Sequence, residues 1–208
     1  GEGGAITTND VSFADRCRSL RSHGVVRDSA GFQGLGLPAS LASEEEGGWV
    51  YEMHSLAANH RLSELAASLG RSQLGRLDAI LEERRRLAGC YAEAFEKDER
   101  IGCLPERHET RSAWHLYPVR LERSSLRNGR AGVYRRLHEK GIGVQIHYIP
   151  VHLQPYYRSL LGTKFGDLPV TEAAYLELLS LPLFPGLSES DQSRVVECVA
   201  GAMDEESA

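Results

Sequence analysis

The chain has 208 residues, room for one or two domains that each bury a core. Lys+Arg 24 against Asp+Glu 29 leaves a net charge of −5, without the basic surplus of a nucleic-acid module. A hydrophobic share of 41% excludes a disordered chain, and no apolar run approaches the ~20 residues that cross a bilayer.

Gly1-Glu2-Gly3-Gly4 reads as a tight turn, and Ala5-Ile6-Thr7-Thr8 as a short strand. Asn9 or Asp10 is placed to cap a helix carrying Val11, Ala14, Cys17 and Leu20, which Ser22-His23-Gly24 closes with Gly24 left-handed. Residues 28–48 carry six glycine or proline positions around Glu44-Glu45-Glu46 and read as a long surface loop. Gly31–Gly36 is no phosphate loop, because it lacks a preceding strand, a following helix and the lysine. Trp49, Tyr51 and Glu52 read as packing residues.

Residues 62–97 give the strongest periodic signal. Leu62, Leu65, Leu69, Leu77, Ile80, Leu81, Leu87, Tyr91 and Phe95 keep to one face of a helix about 50 Å long, with Gly70, Gly75 and Gly89 as points of bending. A strand follows at 113–121, a helix at 129–140 stopped by Gly141, and a second strand at 144–148 ended by Pro150. Pro169 and Thr171 open a helix to Leu179. Leu179–Leu183 is a third strand, placed at an edge by its proline, and Ser188 caps a closing helix to Met203. Alternating strands and helices predict an α/β layer.

Three clusters carry chemistry. His147-Tyr148-Ile149-Pro150-Val151-His152-Leu153-Gln154-Pro155-Tyr156-Tyr157 makes a poor core and a good pocket wall, since its prolines fix the path and its polar tips can meet a phosphate or hydroxyl. Read as metal ligands, His147 and His152 share neither a helix face nor a strand face, and no carboxylate or cysteine is near. Asn59-His60-Arg61 precedes a helix start, which suits an anion site or plain capping by Asn59 or Ser63. His115, among aromatics in Ser112–Tyr117, reads as a hydrogen-bonded core residue. Four scattered cysteines without a C-x-x-C pair argue for a reducing compartment.

Read together and in order, Gly1–Ile6, Arg21-Ser22-His23-Gly24, Asn59–Leu65, Gln73-Leu74, Trp114-His115-Leu116-Tyr117 and His147–Tyr157 resemble the DegT-type sugar-nucleotide aminotransferases, a fold-type-I branch of pyridoxal-phosphate enzymes. The resemblance covers nearly the whole chain. Within the branch it is most similar to enzymes that aminate C4 of a UDP-linked 4-keto-6-deoxy-N-acetylhexosamine toward pseudaminic acid.

It implies an α/β fold made of the C-terminal part of such a transferase. Residues 1–60 are then a remnant of the large cofactor domain, 61–97 a connecting helix and 98–208 a small α/β domain. It implies pyridoxal 5'-phosphate as cofactor, an amino-acid donor such as glutamate, a nucleotide-sugar acceptor, and a cytoplasmic homodimer with no nucleic acid or membrane partner. Asn59 is then the residue that reaches the partner's cofactor phosphate or the substrate, and Arg61 supports it. His147, Tyr148, Ile149 and Pro150 line the nucleotide-sugar pocket, with His152 and Gln154 in the same wall. His60 departs from the family's usual tyrosine.

The Schiff-base lysine of the family lies before the Gly1–Gly4 run, and Lys97, Lys140 and Lys164 do not match it. The chain alone is therefore expected to be inactive. The alternative from another class is a non-catalytic sugar-nucleotide-binding or dimerisation module, and a metal-dependent hydrolase on His115, His147 and His152 is more distant.

Overall fold

The computed structural model describes residues 3–37 and 48–207. The chain divides into two compact units, Gly1–Gly75 and Arg76–Ala208.

In the first unit, α1 (Val11–Arg21) starts at Asp10, whose carboxylate accepts from the Phe13 N–H and satisfies one of the free donors of the first turn. His23 and Gly24 both take positive φ to end it, and the Gly24 N–H returns to the Ser19 carbonyl at 2.9 Å. A Cβ on Gly24 would collide with the Ser55 carbonyl, so this turn requires glycine twice over. Strands β1 (Val25–Val26) and β2 (Glu52–Met53) pair antiparallel, and α2 (Glu64–Leu74) follows. Ala5–Thr8 is not a strand, since nothing described pairs with it. Of the loop expected at 28–48, residues 38–47 lie outside the described part. Its first half contains a 3-10 turn at Ser29–Gly31. Glu52 is indeed buried, whereas Trp49 and Tyr51 are exposed and pack no core.

The second unit opens with α3 (Leu77–Phe95). The single helix expected over 61–97 is thus two, with their boundary at Gly75 and Arg76. Arg76 takes φ −114° and ψ 5°, outside the helical well, just after a glycine, which has little preference for that well. Strands β3 (Ile101–Cys103), β4 (Tyr117–Leu121) and β5 (Leu178–Leu181) form one antiparallel sheet in that order, with Val119 opposite both Cys103 and Leu179. The β4 strand starts four residues later than the sequence suggests, because Trp114 sits at φ 44° and interrupts the extended run. Residues 144–148 contribute one bridge, Gln145 to Ser180, rather than a strand. The expected edge position of the Leu179 strand is where β5 lies.

Between and after the strands come α4 (Gly129–Glu139), α5 (Pro155–Leu161), α6 (Pro169–Glu177) and α7 (Glu189–Glu206). Both α5 and α6 begin with proline, whose missing N–H costs nothing in a first turn. Alternation in β4 buries Tyr117, Val119 and Leu121. These meet Leu87, Tyr91 and Phe95 of α3, Val133 and Leu137 of α4, and Val195, Val199 and Met203 of α7 in one core. The Tyr91 and Tyr117 rings stack at 5.0 Å, and the Tyr91 hydroxyl donates to the Pro182 carbonyl at 2.9 Å. Arg84 donates through Nη1 to the carbonyls of Trp114, His115 and Leu183, which ties α3 to the segments flanking the sheet. Asn128, Arg136 and Glu206 lock α4 to the end of α7, the Glu206 carboxylate accepting from Asn128 at 2.9 Å and from Arg136 at 2.7 Å.

Candidate functional site

The predicted site residues fall into both units. Asn59, His60 and Arg61 belong to the first, where residues 58–60 run beside the end of α1. The His23 N–H donates to Ala58, the His60 N–H to Arg21, and Asn59 bridges Ser22. Ser63 caps α2 by accepting from the Ala66 N–H at 3.3 Å, so capping does not occupy Asn59. The Asn59 Oδ1 accepts instead from the Arg61 N–H at 3.2 Å, and its amide NH2 has no hydrogen-bond partner among the described residues.

The Arg61 guanidinium makes no hydrogen bond or ion pair among the described residues. It borders a hollow of about 850 Å3 together with Arg18, Arg27, His23, Asp15 and Asp28. Arg18 is engaged by Asp15 at 2.6 Å, and Arg27 lies over the Tyr51 ring at 5.1 Å. Arg61 and Arg27 therefore both keep guanidinium N–H groups without a hydrogen-bond partner among the described residues. Guanidinium donors at such a hollow, with an amide donor two residues before Arg61 in the chain, suit phosphate oxygens and are poorly suited to a metal.

Glu52 organises the neighbouring loop. Its carboxylate accepts from the Gln33 and Gly34 N–H groups at 2.7 and 2.6 Å and meets His54 Nε2 at 2.6 Å. The Gln33 backbone bond first, then His54, hold this carboxyl below the usual glutamate range against the opposing effect of burial.

In the second unit, the His147–Tyr157 segment leaves the sheet edge just after the Gln145–Ser180 bridge. His147 is half-buried, its Nδ1 2.9 Å from Ser180 Oγ and its ring edge-on to Tyr148 at 4.6 Å. Tyr148 and Ile149 are exposed, and Pro150 is buried. This is the arrangement of a wall with an anchored base and a free apolar surface. Residues 151–153 form a 3-10 turn, and α5 presents Tyr156 and Leu160 to the outside.

His152 departs from its expected place on that wall. It is 8% exposed, and its Nε2 is 2.8 Å from Oε1 of Glu172, which is 3% exposed. Glu172 also accepts from the Gly166 and Leu168 N–H groups, and Thr163 donates to the His152 carbonyl at 2.6 Å. Burial pushes the Glu172 carboxyl up, but the bonds from His152, Gly166 and Leu168 together outweigh it and leave it below the ordinary range. His152 therefore fastens the wall from behind.

His115 is exposed, contrary to the core role expected of it; the core ring of that motif is Tyr117, with Trp114 packed on it at 5.4 Å. Glu172 and Ser180 escaped the sequence reading, their partners being 20 and 33 residues away. Glu172 did leave one signal, an acid in the first turn of a proline-opened helix, where unpaired N–H groups collect. Among the described residues no group of three or more His, Cys, Asp or Glu is disposed to hold a metal.

Comparison with known proteins bears on this geometry. Residues 1–200 match the model of the DegT/DnrJ/EryC1/StrS aminotransferase family. The spore coat polysaccharide biosynthesis protein SpsC of Bacillus subtilis is 34% identical over 200 residues, which are 96% of this chain and 49% of SpsC. The solved aminotransferase TlmJ from Streptoalloteichus hindustanus superposes with a TM-score of 0.76 at 28% identity, over 95% of this chain and 46% of that one. Helicobacter pylori PseC, an aminotransferase involved in the biosynthesis of pseudoaminic acid, shares the fold with a TM-score of 0.80 at 24% identity, over 95% and 48%. The chain spans about half the length of the curated relatives it matches.

Proposed function

The chain belongs to the DegT/DnrJ/EryC1/StrS aminotransferase family, and from that premise we propose that it is the carboxyl-terminal part of an enzyme that moves an amino group from an amino acid, glutamate first among donors, to a nucleotide-linked keto-deoxy sugar. The family match across residues 1–200 carries this reading. SpsC, named for spore coat polysaccharide biosynthesis, supports an activated sugar as acceptor.

The residues present fit a cofactor phosphate, because Asn59 offers an amide donor and Arg61 an unspent guanidinium. Pyridoxal 5'-phosphate, when bound, supplies the electrophilic carbon and the electron sink for amino transfer. On this reading Asn59 and Arg61 hold its phosphate, across the twofold of a homodimer. The exposed leucines of α2, Leu65 and Leu69, support a face that assembly covers. His147 offers a ring nitrogen to a sugar oxygen, while Tyr148 and Ile149 supply apolar surface and the buried Pro150 fixes their path. His152 serves the same wall through Glu172 rather than by touching the ligand.

None of the three lysines takes the place of the family's Schiff-base lysine. Lys97 and Lys140 follow helix ends, Lys140 being paired with Glu205 at 2.9 Å, and Lys164 lies in the Gly162–Leu168 loop. We therefore assign no turnover to these 208 residues alone. No described helix is long and apolar enough to cross a membrane, and the four cysteines are all free thiols; the latter supports placing the protein in the cytoplasm.

The test is calorimetric titration of the chain with UDP-N-acetylglucosamine and with pyridoxal phosphate, beside an assay for a 4-amino sugar from a UDP-linked 4-keto sugar and glutamate. Binding of the nucleotide sugar without turnover is the expected result. Failure to bind it refutes the acceptor assignment, and turnover by the chain alone refutes the missing-lysine argument.

A further inference from the structure

The His147–Ser180 contact determines more than the position of a ring. Ser180 lies on β5 and is 6% exposed. Its backbone N–H and carbonyl both pair with Gln145, the Ser180 N–H donating at 2.8 Å and the Gln145 N–H donating back to the Ser180 carbonyl at 3.2 Å. That bridge sets His147 two residues on, within reach of the same serine's hydroxyl, so main chain and side chain of one residue both fix the histidine.

The direction of the Oγ···Nδ1 bond follows from counting partners. A serine hydroxyl has one proton to give, and among the described residues Ser180 Oγ has a single hydrogen-bond partner, Nδ1 of His147 at 2.9 Å. Were Nδ1 to carry a proton and donate it, the hydroxyl proton of a nearly buried residue would lack an acceptor, and an unmade bond in such a place costs more than a made one returns. With the hydroxyl donating, both the Ser180 proton and the Nδ1 lone pair are satisfied.

The neutral ring then carries its proton on Nε2. That nitrogen has no hydrogen-bond partner among the described residues, and no fully buried side-chain nitrogen or oxygen there lacks one, so Nε2 is not sealed from solvent. The neighbouring Tyr148 ring, 73% exposed, meets the imidazole edge-on.

We propose that Ser180 is a positioning residue that holds His147 as the Nε2–H tautomer, making this histidine a hydrogen-bond donor toward an acceptor oxygen of the bound sugar nucleotide and not a proton acceptor. The tautomer rests on the geometry alone; the identity of the oxygen's owner rests on the function proposed above. The consequence for specificity is direct. A donor at this point favours a carbonyl, hydroxyl or phosphate oxygen and rejects a ligand that presents a protonated amine there.

Long-range proton–nitrogen NMR of the imidazoles tests this on the whole chain in mildly alkaline buffer, with His147 assigned by loss of its signals in His147→Gln. The expected spectrum has an unprotonated Nδ1 and a protonated Nε2. Ser180→Ala moves both nitrogens toward the tautomer-averaged position, and Ser180→Thr, which keeps the hydroxyl, restores the original pair. A general loosening of the fold would not be rescued in this way. A protonated Nδ1 in the unsubstituted chain, or a tautomer indifferent to Ser180→Ala, overturns the proposal. Addition of UDP-N-acetylglucosamine is expected to shift Nε2. If the tautomer behaves as stated while Nε2 ignores a nucleotide sugar that calorimetry shows to bind, the donor role is refuted. If the sugar does not bind at all, the acceptor assignment fails and the Ser180 arm is judged by the first spectra.

Discussion

Two glycines in the second unit make opposite predictions from the same substitution. Gly89 in α3 has no atom within 4 Å of where a Cβ would stand, whereas the Cβ of an alanine at Gly132 in α4 would overlap the Glu206 carboxylate, 2.9 Å from Oε1 and nearer still to the remaining atoms. That carboxylate cannot swing aside freely, because Asn128 and Arg136 hold it. Gly→Ala inside a helix gains about 1 kcal/mol of helix propensity, and this gain is common to both sites. Overpacking costs about 1–3 kcal/mol at Gly132 alone. The difference between Gly89→Ala and Gly132→Ala is therefore about 1–3 kcal/mol, with Gly89→Ala above the parent chain. Urea unfolding followed by circular dichroism reads it directly. For a slope of about 2 kcal/mol/M, the two midpoints separate by roughly 0.5–1.5 M. In a Glu206→Ala background the penalty at Gly132 disappears. Equal midpoints for the two variants would refute the reasoning, as would a penalty that survives removal of the carboxylate.

Further outcomes follow from the polar contacts. Glu206, lowered chiefly by Asn128 and then Arg136, and Glu52, lowered chiefly by the Gln33 backbone bond, have folded pKa values below the unfolded one. Their contribution to stability is complete above the ordinary glutamate value of about 4.3 and is lost as the pH falls below it through the folded values. Urea midpoints measured between pH 7 and 3 should thus fall only in the acid limb, and Glu206→Gln should flatten that limb. Tyr91→Phe keeps the stacked ring and removes the donor to Pro182, a loss of about 1 kcal/mol in the same unfolding assay. On the proposed function, in which Arg61 holds the cofactor phosphate, Arg61→Ala forfeits a charge-assisted bond of about 1.5–3 kcal/mol and weakens pyridoxal-phosphate binding roughly tenfold or more; Arg61→Lys recovers only part, since one ammonium cannot replace a planar fork.

Much of the architecture can be read in the sequence wherever a residue acts on its near neighbours. Asp10, Ser63 and Ser188 cap the helices they precede, Gly24 and Gly141 take the left-handed turn after a helix, and Val133 with Leu137 mark the inward face of α4. Periodicity misleads between α2 and α3. The apolar spacing runs on across the two-residue interruption, yet Leu87, Tyr91 and Phe95 are buried while Leu65, Leu69 and Leu74 are exposed. A stripe tells which face is apolar and nothing about what meets it. The α/β layer was expected from alternating elements, but β3, at three residues, is too short to register, and all pairing in its sheet is antiparallel. At the candidate site, the wall of His147–Tyr157 stands out by composition. Its fastenings do not, because Ser180 and Glu172 look like ordinary strand and helix residues until the fold sets them against His147 and His152.

The grip of Glu52 on Gln33 and Gly34 joins parts of the chain 19 and 18 residues apart through one carboxylate. A single proton added in acid therefore weakens both ties together, so this turn lets go of β2 in one event rather than bond by bond.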